Sequence, residues 1–220
     1  MSFYKLYDFL RDLQKNNSKD WMDQNRTRYH EVRDWYIQWL DELNIELAKV
    51  DQDYHNTPGR KAINRINNNL MFHPNKPVYK DHFGAGMDLA ASGKQGDFYI
   101  HLGTQESFIA GGFYKPKKEI LSSLRDAIDY NGEDYKRILN KKSFKKTFNI
   151  INDGGDSLKT APKGYSQDHE HIDLLRLKTF AVQHDLTQKE VQADDFQAKC
   201  IEVYKEMKPF RAYLNKAVTV

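Results

Sequence analysis

The stretch from residue 85 to residue 114 narrows the fold most, because it strings strand-like runs on links too short to hold a helix. The runs are Ala85 to Ala91, Phe98 to Leu102 and Ser107 to Tyr114, joined by Ser92 to Asp97 and by Gly103 to Glu106. Parallel neighbours need a crossover of about a dozen residues or more, so these runs are expected to pair as an antiparallel meander. Side chains alternate along a strand, which puts Phe98, Ile100 and Leu102 on one face and Tyr99 and His101 on the other. Gly111-Gly112 marks a bulge or a close approach of another backbone.

Helical periodicity flanks the meander on both sides. Phe3, Leu6, Phe9, Leu10 and Leu13 recur at steps of three and four, as on one face of a helix from Phe3 to Lys15. Ser18 is placed to cap a second, longer helix from about Lys19 to Val50, with Asp20 favourable in its first turn. Trp21, Trp35 and Trp39 are read as core. Asp51 to Arg60 is a loop, Ala62 to Asn67 alternates like a short strand, and a polar, Pro-punctuated loop follows. Pro116 opens a helix that Asn131-Gly132 ends, and Tyr135, Ile138 and Leu139 suggest another. Asp153 to Asp156 is a turn, Asp168 to Lys178 reads as a helix, and Thr179 to His184 as a fourth strand. Thr187 caps a short helix, and Asp194-Asp195 begins a last one that Pro209 should kink or interrupt. The expectation is α+β: an antiparallel sheet meander packed against N-terminal and C-terminal helices. At roughly 150 residues per domain, 220 residues suggest a single domain spanning 1–220.

The hydrophobic fraction is only 39% and mean hydropathy is −0.82, but aromatic residues reach 13%. Disordered segments are depleted in aromatics, so a folded globule is expected. The one cysteine, Cys200, can form no internal disulfide and sits in a helical apolar pattern. Lys5 and Asp8 interrupt the start of the chain, which therefore does not read as a signal peptide, and no run of 18 apolar residues is present. A cytoplasmic protein without a membrane span is expected.

Net charge is +3, and its distribution is uneven. Residues 1–56 carry −3, residues 57–114 carry +2, residues 115–146 carry +5 and residues 147–220 carry −1. The most informative stretch runs from Arg60 to Lys80. It gathers Arg60, Lys61, Arg65, Lys76, Tyr79 and Lys80 with no acidic residue among them. Cations without local counterions repel one another, and an anion relieves that repulsion. Arg offers a bidentate fork for phosphate or carboxylate, and Lys a point charge. Pairing with the acidic first helices is the alternative. Asn67, Asn68 and Asn69 suit left-handed turns that aim backbone N–H groups at an anion, or a simple turn. Arg176, Lys178 and His101 complete the candidate set.

Asp168, His169, Glu170, His171 and Asp173 have the composition of a metal cluster, but on a helix His169 and His171 would point about 200° apart. Neither a metal nor a cofactor is expected. Nucleotide-binding and hydrolase motifs are absent. A small anionic ligand is therefore the expected partner, with an enzymatic role left open. The alternatives are a nucleic-acid-associated module using the basic 115–146 surface, where Phe144 and Phe148 interleave with lysines, and a non-catalytic interaction protein. The pattern sets no oligomeric state.

Ordered pieces along the chain resemble a known family. They are Leu13, Asn16, Asn17 and Trp21; Arg65-Ile66-Asn67 through Lys76, Tyr79 and Lys80; Gly111-Gly112-Phe113-Tyr114 before Pro116; Ala161 to Tyr165; Asp168-His169; and Leu175-Arg176-Leu177-Lys178 before Phe180. Together they resemble a bacterial family of conserved hypothetical proteins, domain-of-unknown-function family 2461. The resemblance implies a fold and a site location, not a reaction. This chain departs from the common pattern at Asn68-Asn69, where many members read Arg-Asp, and at Met71, where many carry a basic residue.

Overall fold

The computed structural model describes residues 1–90, 93, 95–151 and 157–219. Its elements in chain order are α1 (Phe3–Lys15), α2 (Lys19–Gln24), α3 (Arg26–Val50), α4 (Gly59–Ala62), β1 (His82–Met87), β2 (Asp97–Gly103), β3 (Ser107–Phe113), α5 (Lys118–Asn140), α6 (Lys142–Thr147), β4 (Asn149–Ile150), α7 (Ile172–Leu175), β5 (Phe180–Leu186), α8 (Gln188–Val191) and α9 (Phe196–Ala217). The strands form one antiparallel sheet in the order β1-β2-β3-β5-β4, with Asn149 opposite Gln183 and Ile150 opposite Val182 at the β4–β5 end. The fold is α+β, and β1-β2-β3 is the expected meander.

Local chemistry explains where the elements start and stop. Ser18 accepts a hydrogen bond from the Trp21 N–H at 3.2 Å and caps α2. Thr187 and Glu190 form a reciprocal capping box around α8. The single helix expected from Lys19 to Val50 is two helices. Asn25 leaves helical geometry at φ −107° and ψ 14°, and its side-chain amide donates to the Trp21 carbonyl at 2.9 Å. No strand forms over Ala62 to Asn67. Ile63 bridges Ala85 while Asn67 bridges Tyr79, and two different partners cannot build one ladder.

Lys117, not Pro116, occupies the N-cap of α5, after a bend at Lys115 with φ +45°. Asn131, at φ −149° and ψ 52°, breaks α5 into two helices across a kink, as expected from Asn131-Gly132 and from the helix at Tyr135, Ile138 and Leu139. Asp168 to Lys178 is helical only at α7, with His171 at its N-cap position. α9 runs through Pro209. The expected turn at Asp153 to Asp156 lies outside the described residues, as do Ala91, Ser92 and Lys94.

By compactness the chain divides into two units. Unit 1 comprises Met1–Asp88, Tyr99–Ile109 and Asp185–Ile201. Half-buried Phe3 meets Trp35 at 4.9 Å and Trp39 and Phe196 at 5.1 Å, all edge-on; of the three tryptophans expected in the core, Trp39 is buried while Trp21 and Trp35 are half-buried. Trp39 in turn stacks on Phe196 at 5.3 Å. Each such pair contributes about 0.5–1.5 kcal/mol beyond the area it buries. Buried Asn44 donates to the Thr57 carbonyl at 2.7 Å and so ties down the loop after α3.

Unit 2 comprises Leu89–Phe98, Ala110–His184 and Glu202–Val220. Tyr135 packs on Phe180, Phe210 and Tyr213, and Phe98 meets Tyr204 edge-on at 5.1 Å. Buried Arg211 donates to the Gly96 carbonyl from Nε at 3.2 Å and from Nη2 at 2.7 Å. At Gly112 the backbone has φ +114°, and a Cβ there would overlap the Phe180 carbonyl oxygen. The close approach expected at Gly111-Gly112 is therefore present.

Gly112→Ala should lower unfolding free energy by about 3 kcal/mol or more, from strain and overlap together. Gly164→Ala, at φ +98° with nothing within 4 Å of a new Cβ, supplies a comparison in which only strain acts. It should lose about 1–2 kcal/mol. Urea unfolding of the two variants reads the difference, and equal losses would contradict the close approach.

Candidate functional site

The acid-free segment folds back on itself after α4. The Lys80 N–H donates to the Ile66 carbonyl at 2.8 Å, Asn67 bridges Tyr79, and the Asn68 N–H donates to the Val78 carbonyl at 3.0 Å. The result is a hairpin whose tip exposes Met71 (84%) and Phe72 (73%). Its base is clasped by Asn17, whose amide donates to the Tyr79 carbonyl and accepts from the Tyr79 N–H, each at 2.9 Å. Tyr79 itself is buried, at 5% exposure. None of Asn67, Asn68 and Asn69 has a positive φ, so of the two readings the left-handed nest does not form. Instead the Asn68 amide donates to the Pro77 carbonyl at 2.9 Å and tightens the loop.

Closure of the hairpin sets Lys80 against Arg65. The Lys80 ammonium donates to the Arg65 carbonyl oxygen at 2.6 Å. Partial burial lowers its pKa, and the charges of Arg65 and Lys76 lower it further. Arg65, Lys76 and Lys80 thus share one electrostatic neighbourhood. Among the described residues, none of Arg60, Lys61, Arg65, Lys76 and Lys80 is in an ion pair. Several acids of the first helices are engaged with nearby cations instead: Asp8 with Arg11, Asp12 with Arg28, Asp23 with Arg26, Asp34 with Arg33 and Glu46 with Lys49.

His101 lies in β2 between two rings of neighbouring strands. Its imidazole stacks on His82 of β1 at 4.1 Å and on Phe108 of β3 at 4.6 Å. Burial, and then the charge of His82, drive the His101 pKa down to about 3. Burial likewise lowers that of His82, with the Lys80 charge adding to it and Asp81 opposing. Both imidazoles are neutral near pH 7, and a neutral imidazole both donates and accepts. The sequence pattern placed His101 on its strand but did not single out His82 as its neighbour. The strand run read from Ala85 to Ala91 begins past His82, whereas β1 starts at His82, and only the pairing of β1 with β2 brings the two imidazoles together.

Arg176 and Lys178 belong to unit 2, at the end of α7 and before β5. Arg176 donates from Nη2 to Gln167 at 3.0 Å, and its Nη1 lies 3.9 Å from Asp173. Arg125 holds the same segment by donating to the carbonyls of Leu175 at 2.8 Å and Leu177 at 3.1 Å. In the basic 115–146 region, Phe144 and Phe148 are buried and pack on each other at 4.7 Å, so neither ring is presented to a base. Lys136, Arg137 and Lys141 there pair with Glu133, Asp134 and Glu206. Two surface clefts, one lined by Met1, Lys5, Asp8, Arg28, Glu31 and Val32 and one by Arg137, Ile138, Asn140 and Lys141, include none of the candidate ligand residues.

An α+β chain with an unpaired basic hairpin beside a stacked histidine pair is therefore the class these observations define. The family model described as "Conserved hypothetical protein (DUF2461)" matches residues 5–213, and the chain belongs to that family. No curated protein and no solved structure matches it. No helix among the described residues is long and apolar enough to cross a membrane.

The stacked pair makes stability depend on pH in a definite direction. Between about pH 3 and pH 6.5 the unfolded chain binds a proton at His101 that the folded chain refuses. Stability should therefore fall as pH drops below 6.5, and His101→Phe, which keeps the stack, should flatten that slope without abolishing it, because His82 contributes in the same sense. Urea midpoints from pH 7 to pH 5 measure the slope. A His101 ring signal titrating near 6.5 by NMR would refute the assignment.

Proposed function

We propose that the protein binds a small phosphorylated or carboxylated ligand on its basic hairpin, through Arg65, Lys76 and Lys80. The observation that carries this reading is a set of neighbouring cations for which no carboxylate partner stands among the described residues. An anion seated there removes the mutual repulsion and stabilises the charged form of Lys80. The Arg65 guanidinium supplies a fork for two oxygens, while Lys76 and Lys80 supply point charges. Tyr79 serves through its backbone, which Asn17 grips to hold the hairpin closed. His101 and His82 offer neutral imidazoles beside Lys80, suited to hydrogen bonding or to taking up a proton. Arg176 is left out of the set because Gln167 and Asp173 already engage it. A cytoplasmic setting, where phosphorylated and carboxylated metabolites are abundant, belongs to the same reading.

Thermal-shift titrations with inorganic phosphate, pyrophosphate and citrate, at constant ionic strength, test this directly. At least one should raise Tm. Arg65→Ala and Lys80→Ala should each weaken binding about tenfold, or ~1.4 kcal/mol. Lys145→Ala, on exposed α6, should not. Absence of any anion-dependent shift, or equal affinity in all three variants, would end the proposal.

A further inference from the structure

In unit 2 the segment from Tyr165 to His171 is fastened to carboxylates spaced along α5. The Tyr165 hydroxyl donates to Asp126 at 2.7 Å, and His169 Nε2 lies 2.8 Å from Asp129. The His171 N–H donates to His169 Nδ1 at 3.0 Å, which leaves the His169 proton on Nε2, facing Asp129. The third member of the series does not close. His171 Nδ1 stands 3.8 Å from Glu133 Oε1, and its Nε2 stands 4.0 Å from Glu170 Oε1, both too long for hydrogen bonds.

His171 is only 4% exposed, and its Nδ1 is a buried polar atom with no hydrogen-bond partner. Such an atom is costly to leave unmade. The ring is admitted by Gly132, since a Cβ at that position would overlap it. Glu133, Glu170 and His171 each offer one ligand atom, and these atoms lie within 4.8 Å of one another. A cation already stands at this corner: the Lys136 ammonium is 2.9 Å from Glu133 Oε1 and 3.4 Å from the Glu170 carbonyl oxygen. The spacing argument against a metal at His169 and His171 supposed a helix, and residues 166–171 form turns instead.

We propose that Glu133, Glu170 and His171 bind a divalent transition-metal ion of the zinc type, leaving a coordination position open for water or a substrate. An imidazole nitrogen favours such ions over magnesium or calcium, and two carboxylates balance their charge. Metal–ligand bonds of about 2.0–2.2 Å set ligand atoms on one ion roughly 3–4 Å apart, wider than a hydrogen bond and close to the gap between His171 Nδ1 and Glu133. Glu170 is exposed and swings in to complete the set. Lys136 competes for Glu133 and must yield to the ion. His169 is a positioning residue, holding the His171 backbone.

The test uses the full chain, stripped with a chelator and titrated with Zn2+ by calorimetry and with Co2+ by visible absorption. One ion per chain is expected. The double variant Glu133→Gln, Glu170→Gln alters only exposed side chains and should fold, and its affinity should fall at least tenfold. Lys136→Met should bind Zn2+ more tightly than the parent, an effect that a purely structural role for these residues would not produce. His171 ring signals should shift on Zn2+ addition while those of His30 and His73 stay in place. Absence of stoichiometric binding, unchanged affinity in the double variant, or a shift confined to other histidines would overturn the proposal.

Discussion

Ring-on-ring packing is what both units rest on. With 39% hydrophobic residues, the chain needs much buried area from each side chain that faces inward. Aromatic rings supply about 150–250 Å² apiece. Phe3 shows how far one ring reaches: it touches Trp35 and Trp39 of α3 and Phe196 at the start of α9, so one contact set gathers segments from both ends of unit 1. Tyr135 does the equivalent in unit 2 with Phe180, Phe210 and Tyr213. Edge-on geometry also fixes the angle between neighbours, which aliphatic contacts do not. The low mean hydropathy therefore reflects a highly charged surface rather than a weak core.

Around these cores the irregular segments are held by side chains that bind backbone groups far away in sequence. Asn17 grips Tyr79 across 62 positions, Arg125 grips Leu175 across 50, and Arg211 grips Gly96 across 115. A buried backbone group must find a partner, and where neither helix nor strand supplies one, an amide or guanidinium does. Such clasps separate the legible part of the fold from the rest. Apolar periodicity, the Ser18 and Thr187 caps and the short meander links act within a few residues; they marked where α1, α2 and α8 begin and that β1, β2 and β3 are consecutive strands, but not the break at Asn25 or the start of β1 at His82. The segments Ala62–Asn67 and Asp168–Lys178 take their shape from distant partners, and their local patterns, one strand-like and one helical, misled.

The candidate site divides along the same line. An absence of acids between Arg60 and Lys80 is visible in the sequence, and so is the position of His101 on a strand. That Lys80 closes onto Arg65 depends on the hairpin ladder, and that His82 stacks on His101 depends on how β1 meets β2. Asn68 works as a loop-closing residue rather than as part of a left-handed nest.

Charge pairing gives a physical reason to treat the two polar clusters differently from the rest of the surface. Exposed pairs such as Arg11–Asp8 and Lys49–Glu46 contribute little, about 0–1 kcal/mol each, and their fields largely cancel. A fold full of such pairs shows that suitable partners are within reach over much of this chain. Among the described residues Arg65, Lys76 and Lys80 stand without an acid partner, and partial burial, together with the charges of Arg65 and Lys76, lowers the pKa of Lys80. On α5 the reverse holds: Asp126 and Asp129 receive Tyr165 and His169 at hydrogen-bonding distance, while the next carboxylate in the series stops short of a buried imidazole nitrogen. In each case the unmet group is the exception within a locally satisfied set. That contrast, rather than the number of charges, is what the proposed anion site on the hairpin cations and the proposed metal site at His171 both rest on.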